Sequence, residues 1–122
     1  MENSSTENLE LKFKLTNEYL RSGGLEKILD VLNQNPTMKL DIRSHTDCRQ
    51  TAKYNQVLSD KRAKSTINWL VKNGINANRL TGKGYGETQL VNDCGCEPTN
   101  QSNCTEEQHQ MNRRSEFIIT AL

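Results

Sequence analysis

Apolar and polar positions follow two periods along this chain, and together they predict strands that alternate with helices. Residues 9–15 alternate apolar and polar with period two, which is the pattern of a half-buried strand. The residues predicted to face inward are Leu9, Leu11, Phe13 and Leu15. Apolar residues of segment 25–32 then recur at the spacing of one helix face, with Ser22 as the predicted N-cap. This helix should end at Asn35, because the residue before Pro36 avoids the helical region.

A second strand and a long second helix follow the proline. Residues 38–42 alternate apolar and polar again, as a half-buried strand does. The helix is predicted to begin between Thr51 and Tyr54 and to end at Gly74, because glycine tolerates the left-handed conformation that closes a helix. Its predicted apolar stripe consists of Ala63, Thr66, Ile67, Leu70 and Val71.

The last part of the chain contains two more strands, separated by a loop and a short helix. Residues 79–86 are predicted to form the third strand, and the segment of about 92–104, which contains Gly, Pro, Asn and Cys, to form a loop or an insertion. The Thr-Glu-Glu-Gln segment 105–108 fits a capping box and predicts a short helix over 106–111. Residues 116–122 are apolar on both faces and should form a central strand. Helices between the strands imply crossovers onto one face of a single sheet.

The length and charge of the chain narrow the possible function classes. A chain of 122 residues indicates one domain, which we place at 10–122, after a polar tail over 1–9 that we expect to be disordered. The net charge of +1 gives no electrostatic case for a nucleic-acid partner. No apolar run is long enough to cross a bilayer, and the N-terminus does not resemble a signal peptide. We therefore expect either an intracellular protein or a domain excised from a longer exported protein, and the abrupt end at Leu122 fits the second.

Three of the four cysteines lie together in the predicted loop, which favours a disulfide or a metal site over core packing. If the domain is periplasmic, we favour a disulfide that joins Cys104 to Cys94 or Cys96, with Cys48 either paired to the remaining cysteine or free. The alternative is a zinc site formed by Cys94, Cys96, Cys104 and His109, and hence a metal-binding or redox module.

Polar residues at helical spacing predict a small charged site. Asn55, Ser59 and Arg62 fall at i, i+4 and i+7 of the second helix and can face the loop that holds Thr46 and Asp47. A carboxylate and a guanidinium together match a ligand head group that carries both an ammonium and a carboxylate. The alternative is an ordinary salt bridge between Asp47 and Arg62 in a solvated groove.

A catalytic function is a further alternative. His45 and Asp47 are two positions apart and could contact each other on a strand. No nucleophile or third orienting group accompanies them in the sequence, so His45 is interpreted as structural. We expect no enzymatic activity and no cofactor.

Five motifs at matching spacings indicate a known family. They are Ser44–Asp47, Tyr54–Ala63, Gly74–Leu80, Gly84–Glu87 and Asn112–Phe117. Taken together, they resemble the OmpA-like peptidoglycan-binding domain of outer-membrane porins, peptidoglycan-associated lipoproteins and flagellar stator proteins. The resemblance implies an α+β fold with the order β-α-β-α-β-(short α)-β, in which a small mixed four-stranded sheet carries its helices on one face.

The resemblance also implies a ligand, namely the diaminopimelate of the peptidoglycan peptide stem. The family's loop aspartate, which binds the ligand ammonium, matches Asp47, and its helix arginine, which binds the ligand carboxylate, matches Arg62. Supporting positions match Asn55 and Leu58, and Arg113 belongs to a motif beside the site. The implied role is to anchor the outer membrane or an envelope complex to the cell wall, from the periplasmic face of the outer membrane. Contact with the membrane would come only through segments absent from this chain.

The chain departs from the family pattern in the first strand, which lacks the family's usual Asp, and also around the binding loop and in the Cys-rich segment. Ser44 and Gln50 replace glycines that the family usually has around its binding loop, and the Cys-rich segment lengthens a loop that is shorter in many members. Such insertions look like those of Bacteroidetes versions. A non-glycine residue at position 50 would strain or reshape the loop if the family glycine adopts a positive φ.

Overall fold

The computed structural model describes residues 12–96 and 102–122, and in this part of the chain four strands form one sheet. The strands are β1 (Lys12–Thr16), β2 (Lys39–Ser44), β3 (Leu80–Gly84) and β4 (Arg114–Ala121). The three main helices are α1 (Leu25–Gln34), α2 (Ala52–Lys72) and α3 (Glu106–Asn112). The sheet order is β1-β4-β2-β3, in which β4 is antiparallel to both β1 and β2, and β2 is parallel to β3. The α+β class and the mixed four-stranded sheet predicted from the sequence are confirmed.

One face of the sheet and the apolar sides of α1 and α2 enclose the core. Leu40, Ile42 and Phe117 point from the two central strands into it and are at most 1% exposed. The helices contribute residues such as Leu32 and Leu70, both of which are fully buried. The last strand lies inside the sheet, as its apolar residues on both faces predicted. It begins earlier than predicted, at Arg114, because Arg114 pairs with Thr16 of β1.

The predicted N-cap at Ser22 is wrong. The chain becomes helical at Asn17–Tyr19, where the Thr16 hydroxyl accepts a hydrogen bond from the Tyr19 amide at 3.1 Å. A π-helical turn, Leu20–Gly24, then leads into α1. Gly23 has a φ of 123° inside this turn, and this conformation kinks the helix. The kink directly follows Ser22, the residue that was predicted to start a new helix.

Two other predictions need correction. Val71 does not belong to the apolar stripe of α2, because it is 39% exposed near the end of the helix. The third strand is shorter than predicted, since Arg79 belongs to the 3₁₀ turn Ala77–Arg79 and Gly86 has a φ of 55°. Leu9 and Leu11 lie outside the described residues, and so does the predicted tail 1–9.

Close packing of α2 on β3 depends on Gly84. Its amide donates to Asp60 Oδ1 at 2.8 Å, and its carbonyl accepts from Gln56 Nε2 at 2.7 Å. A Cβ at position 84 would lie 2.1 Å from Ser59 Oγ and 2.3 Å from the Asp60 backbone nitrogen. This side of α2 carries the predicted ligand residues. The close approach at Gly84 therefore fixes how far these residues lie from the sheet.

We expect Gly84→Ala to lower the free energy of unfolding by about 1–3 kcal/mol, because the methyl group would push backbone against backbone. Urea denaturation followed by circular dichroism measures this change. Gly95→Ala is the matched control, since a Cβ there meets no atom within 4 Å. Equal stability of the two variants would contradict the close approach.

None of the helices in residues 12–96 and 102–122 combines the length and the apolar character needed to span a membrane.

Candidate functional site

Hydrogen bonds fix the loop between β2 and α2, which carries the predicted acidic residue. The Thr46 amide donates to the Gly86 carbonyl at 2.9 Å, and its hydroxyl donates to the Asp47 carbonyl at 2.8 Å. Asn55 Nδ2 donates to the same Asp47 carbonyl at 3.1 Å. Thr51 caps α2 by accepting from the Tyr54 amide at 3.1 Å. The backbone of Asp47 is therefore held on both sides.

The polar stripe of α2 has a structural part and an open part. Asn55 also donates to Glu87 Oε1 at 2.8 Å, and Ser59 Oγ accepts from the Gly86 amide at 2.9 Å. Both side chains are at most 2% exposed, so they hold the turn after β3 against the helix. Arg62, one turn further along, is only partly buried.

A cleft of about 430 Å³ lies between the loop, α2 and the start of β4. It is lined by all six residues that the sequence predicted for the ligand site, namely Thr46, Asp47, Asn55, Leu58, Arg62 and Arg113. The fold thus brings these residues together, and their individual roles toward a ligand remain predictions. Sequence reasoning missed Arg49, Gln50 and Tyr54, which also line the cleft. The signal that could have identified Arg49 is its basic side chain, two positions after Asp47.

The Asp47 carboxylate is paired with two arginines in the free protein. Oδ2 accepts from Arg49 Nη2 at 2.8 Å and from Arg113 Nη1 at 3.0 Å, while Oδ1 accepts from the Arg49 amide at 3.0 Å. Burial raises the pKa of Asp47, but the hydrogen bonds from Arg49 and Arg113 outweigh it and lower the pKa to about 2. Asp47 and Arg62 do not pair with each other, although they line the same cleft.

This pairing predicts a pH dependence of stability. A carboxyl whose pKa falls on folding stabilises the native state at a pH above its unfolded pKa of about 4, and that contribution disappears as the pH falls toward about 2. We expect Asp47→Asn to reduce the loss of stability between pH 4 and pH 2 by roughly 2 kcal/mol. Urea midpoints at several pH values measure this difference. Asp30→Asn, at an exposed position of α1, is the control, and identical slopes for both variants would refute the prediction.

Within the described part of the chain, Arg62 lacks hydrogen-bond partners of the kind that offset the burial of Asp47. Its Nη1 atom is buried and has no hydrogen-bond partner among the described residues. Desolvation lowers the pKa of Arg62, and the nearby charges of Arg21 and Arg113 lower it further. The cleft therefore contains two opposite charges in different states. The Asp47 carboxylate is already paired, and the Arg62 guanidinium is not, in the part of the chain that the structure describes.

Arg113 connects the cleft to its acidic rim. In addition to Asp47, its guanidinium contacts Glu18 at 3.0 Å and Glu106 at 2.7 Å. Burial opposes the charged form of Arg113, but the hydrogen bonds that it donates to Glu18, Asp47 and Glu106 raise its pKa overall. Arg49 also reaches Glu106, at 2.9 Å. This network holds Arg113 and Arg49 beside Asp47.

Two disulfides hold the Cys-rich segment, and one of them ties it to the loop that carries Asp47. Cys94 pairs with Cys104, with a Cα–Cα distance of 5.8 Å, and Cys48 pairs with Cys96 at 5.5 Å. The predicted disulfide is confirmed, and Cys48 is paired rather than free. The pairing uses all four thiols, so the Cys₃His zinc site expected as the alternative lacks its thiolate ligands. His109, its fourth predicted ligand, is 2% exposed.

His45 is buried beneath the turn that follows β3. Its ring is fully inaccessible, stacks on Tyr85 at a centroid distance of 5.5 Å, and lies 3.6 Å from Glu116. Burial lowers the pKa of His45 to about 4, so its ring is neutral at pH 7. These contacts agree with a structural histidine.

Comparisons with known proteins give matches to a family model and to several relatives. A family model described as the OmpA family matches residues 12–104. Outer membrane porin F of Pseudomonas fluorescens is 32% identical over 116 residues, which cover 93% of this chain and 33% of the porin. The peptidoglycan-associated lipoprotein of Haemophilus influenzae is 33% identical over 76 residues, which cover 62% of this chain and 48% of the lipoprotein.

A solved structure, described as the cell wall anchor of the T6SS from Pseudomonas aeruginosa, has the same fold. It superimposes with a TM-score of 0.64 and 27% identity, over 83% of this chain and 66% of that chain. The chain spans a third to a half of the length of the two curated relatives above.

Proposed function

This chain belongs to the OmpA family, and we propose that it binds peptidoglycan without catalysis and anchors an envelope component to the cell wall. The names of two similar proteins, a peptidoglycan-associated lipoprotein and a cell wall anchor, support this proposal. The family consists of structural anchors rather than enzymes, in agreement with the prediction of no enzymatic activity. We place the domain in the periplasm, because its relatives are outer-membrane or periplasmic envelope proteins, and we propose the face of the outer membrane as its location.

The finer part of the proposal is that the cleft takes the diaminopimelate of the peptide stem. The observation that supports it is the position of Arg62 in the same cleft as the Asp47 carboxylate. The Arg62 guanidinium has a buried nitrogen, Nη1, without a hydrogen-bond partner among the described residues. A carboxylate of the ligand would satisfy the buried Nη1 atom of Arg62, and the fork of the guanidinium suits a bidentate contact.

The ammonium of the ligand would bind Asp47 without displacing its arginines. Each carboxylate oxygen offers two lone pairs. Oδ2 is occupied by Arg49 and Arg113, whereas Oδ1 accepts only the Arg49 amide among the described residues. One acceptor position of Oδ1 therefore remains for the ammonium. Leu58 offers an apolar surface for the methylene chain that joins the ligand's charged head group to the peptide backbone.

The alternative of a metal-binding or redox module built on Cys94, Cys96 and Cys104 is not favoured, because both disulfides serve to hold the loop.

Co-sedimentation with purified sacculi tests the general proposal, and we expect saturable retention of the wild-type domain. Titration calorimetry with two synthetic stems tests the finer one. A stem with lysine in place of diaminopimelate keeps the ammonium but lacks the carboxylate, so it should bind at least about tenfold more weakly. Failure of sacculi to retain the domain would reject peptidoglycan binding altogether. Equal affinity for both stems would reject only the recognition of diaminopimelate.

A further inference from the structure

A second concavity lies beside the cleft, and Arg62 lines both of them. We name it the basic groove; it has a volume of about 270 Å³. It is lined by Asn17, Leu20, Arg21, Leu25, Lys61, Arg62, Ser65, Thr66 and Ser115. The groove thus runs between the kinked helical turn that precedes α1 and the middle of α2.

The basic groove has three cations and no acidic residue in its lining. Arg21 and Lys61 are exposed, and neither forms an ion pair within the described residues. Glu18, whose charge acts on Arg21 and Arg62, already pairs with Arg113 at 3.0 Å. Three like charges around one small concavity attract an anion.

Two buried donors support the same conclusion. Asn17 is 6% exposed, and its Nδ2 atom has no hydrogen-bond partner among the described residues. Arg62 Nη1 is the second such donor. Buried donors are normally paired, and leaving one unpaired costs free energy. An acceptor in the groove would satisfy Asn17 Nδ2, whereas Arg62 Nη1 is the atom proposed above to bind the diaminopimelate carboxylate.

The size and the floor of the groove limit the ligand. Leu20 and Leu25 are half-buried and supply an apolar surface beneath the cations. The volume lies below the usual range of about 300–1,000 Å³ for drug-sized ligands, so one amino-acid residue is the appropriate scale. An inorganic anion would leave the leucines without a contact.

We propose that the basic groove is a second subsite, which binds a carboxylate that carries a short aliphatic side chain. This proposal rests on the proposed function, because the peptide of a stem whose diaminopimelate head group is bound at Arg62 continues from the far end of the methylene chain, and its terminal residue would enter the adjoining groove. A tetrapeptide stem whose last residue has a methyl side chain ends in such a group, because its terminal carboxylate is free. The methyl group would contact Leu20 and Leu25, and the carboxylate would lie between Arg21 and Lys61.

The test compares a tetrapeptide stem that ends in a free carboxylate with the same stem ending in an amide. Calorimetry of the wild-type domain should give about 5- to 20-fold weaker binding for the amide, because it lacks the anion. In the double variant Arg21→Gln/Lys61→Gln, the two stems should bind with the same affinity, close to that of the amide for the wild type. Lys64→Gln is the matched control, since Lys64 is exposed on α2 but does not line the groove.

A second readout follows the groove directly. Titration of the ¹⁵N-labelled domain with the free-acid stem should shift the amide signals of Leu20 and Leu25, and the amide stem should shift them much less. Equal affinity of both stems for the wild type would overturn the subsite and leave the proposed function intact. Failure of both stems to bind would overturn the subsite together with the recognition of the diaminopimelate stem, and co-sedimentation with sacculi then decides separately on the general proposal.

Discussion

Replacing Arg62 by glutamine should weaken binding of the diaminopimelate stem by more than about 100-fold, while the folded domain remains at least as stable as the wild type. The loss of affinity follows from the loss of two charged hydrogen bonds to one ligand carboxylate, each worth about 1.5–3 kcal/mol. Titration calorimetry measures it. Arg62→Lys should restore only part of the affinity, because lysine keeps the charge but lacks the planar fork.

The unchanged or improved stability follows from the state of Arg62 in the free domain. Its guanidinium is desolvated, has a buried nitrogen without a partner among the described residues, and is repelled by Arg21 and Arg113. A neutral side chain of similar length removes these unfavourable terms. Opposite changes in affinity and stability are typical of a residue that is retained for function at a cost to folding.

Arg79→Gln supplies the matched comparison. The guanidinium of Arg79 donates to the carbonyls of Met38, Leu32 and Asn35 at 2.7–2.9 Å, so it closes the end of α1. We expect this variant to lose about 1–3 kcal/mol of stability in urea denaturation and to keep its affinity for the stem. If Arg62→Gln instead behaves like Arg79→Gln, with lower stability and normal binding, Arg62 is a structural residue and the proposed site is wrong.

The fold could be predicted largely because its signals are local. The period-two pattern of 38–42 and the helical spacing of 25–32 arise within one element, and the short helix α3 begins where its capping box predicts. The residues of the site could be grouped for a different reason. Their spacing matches a family motif, and the fold then brings all six of them into one cleft.

The features that could not be predicted depend on contacts between distant parts of the chain. The pairing of Asp47 with Arg113 joins residues 66 positions apart, and the acidic partner Glu18 comes from the other end of the domain. The kink at Gly23 was not predicted, because Ser22 fits a helix N-cap even though the glycines after it weaken a first turn. Disulfide connectivity likewise depends on where the fold places Cys48, and the cysteine spacing alone leaves it open.

Removal of the Cys48–Cys96 disulfide should have the largest effect on stability. Its cysteines are 48 positions apart, and the chain-entropy model gives about 4 kcal/mol for a loop of that length. Since a domain of this size is typically stable by about 5–15 kcal/mol, the loss is a large fraction of the total. We expect Cys48→Ala/Cys96→Ala to lower the free energy of unfolding by about 4 kcal/mol in urea. Alanine avoids placing a new polar group at these buried positions, which are 1–2% exposed.

The second disulfide separates an effect on stability from an effect on the site. Cys94→Ala/Cys104→Ala opens a loop with a separation of only 10, and it should cost about 3 kcal/mol. This variant keeps Cys48, which directly follows Asp47, tied to Cys96, so its affinity for the stem should stay near that of the wild type. The Cys48→Ala/Cys96→Ala variant frees the Asp47 loop and should also bind the stem more weakly. If the two variants lose the same affinity under conditions where both are folded, the Cys48–Cys96 bond does not position Asp47, and its role is limited to global stability.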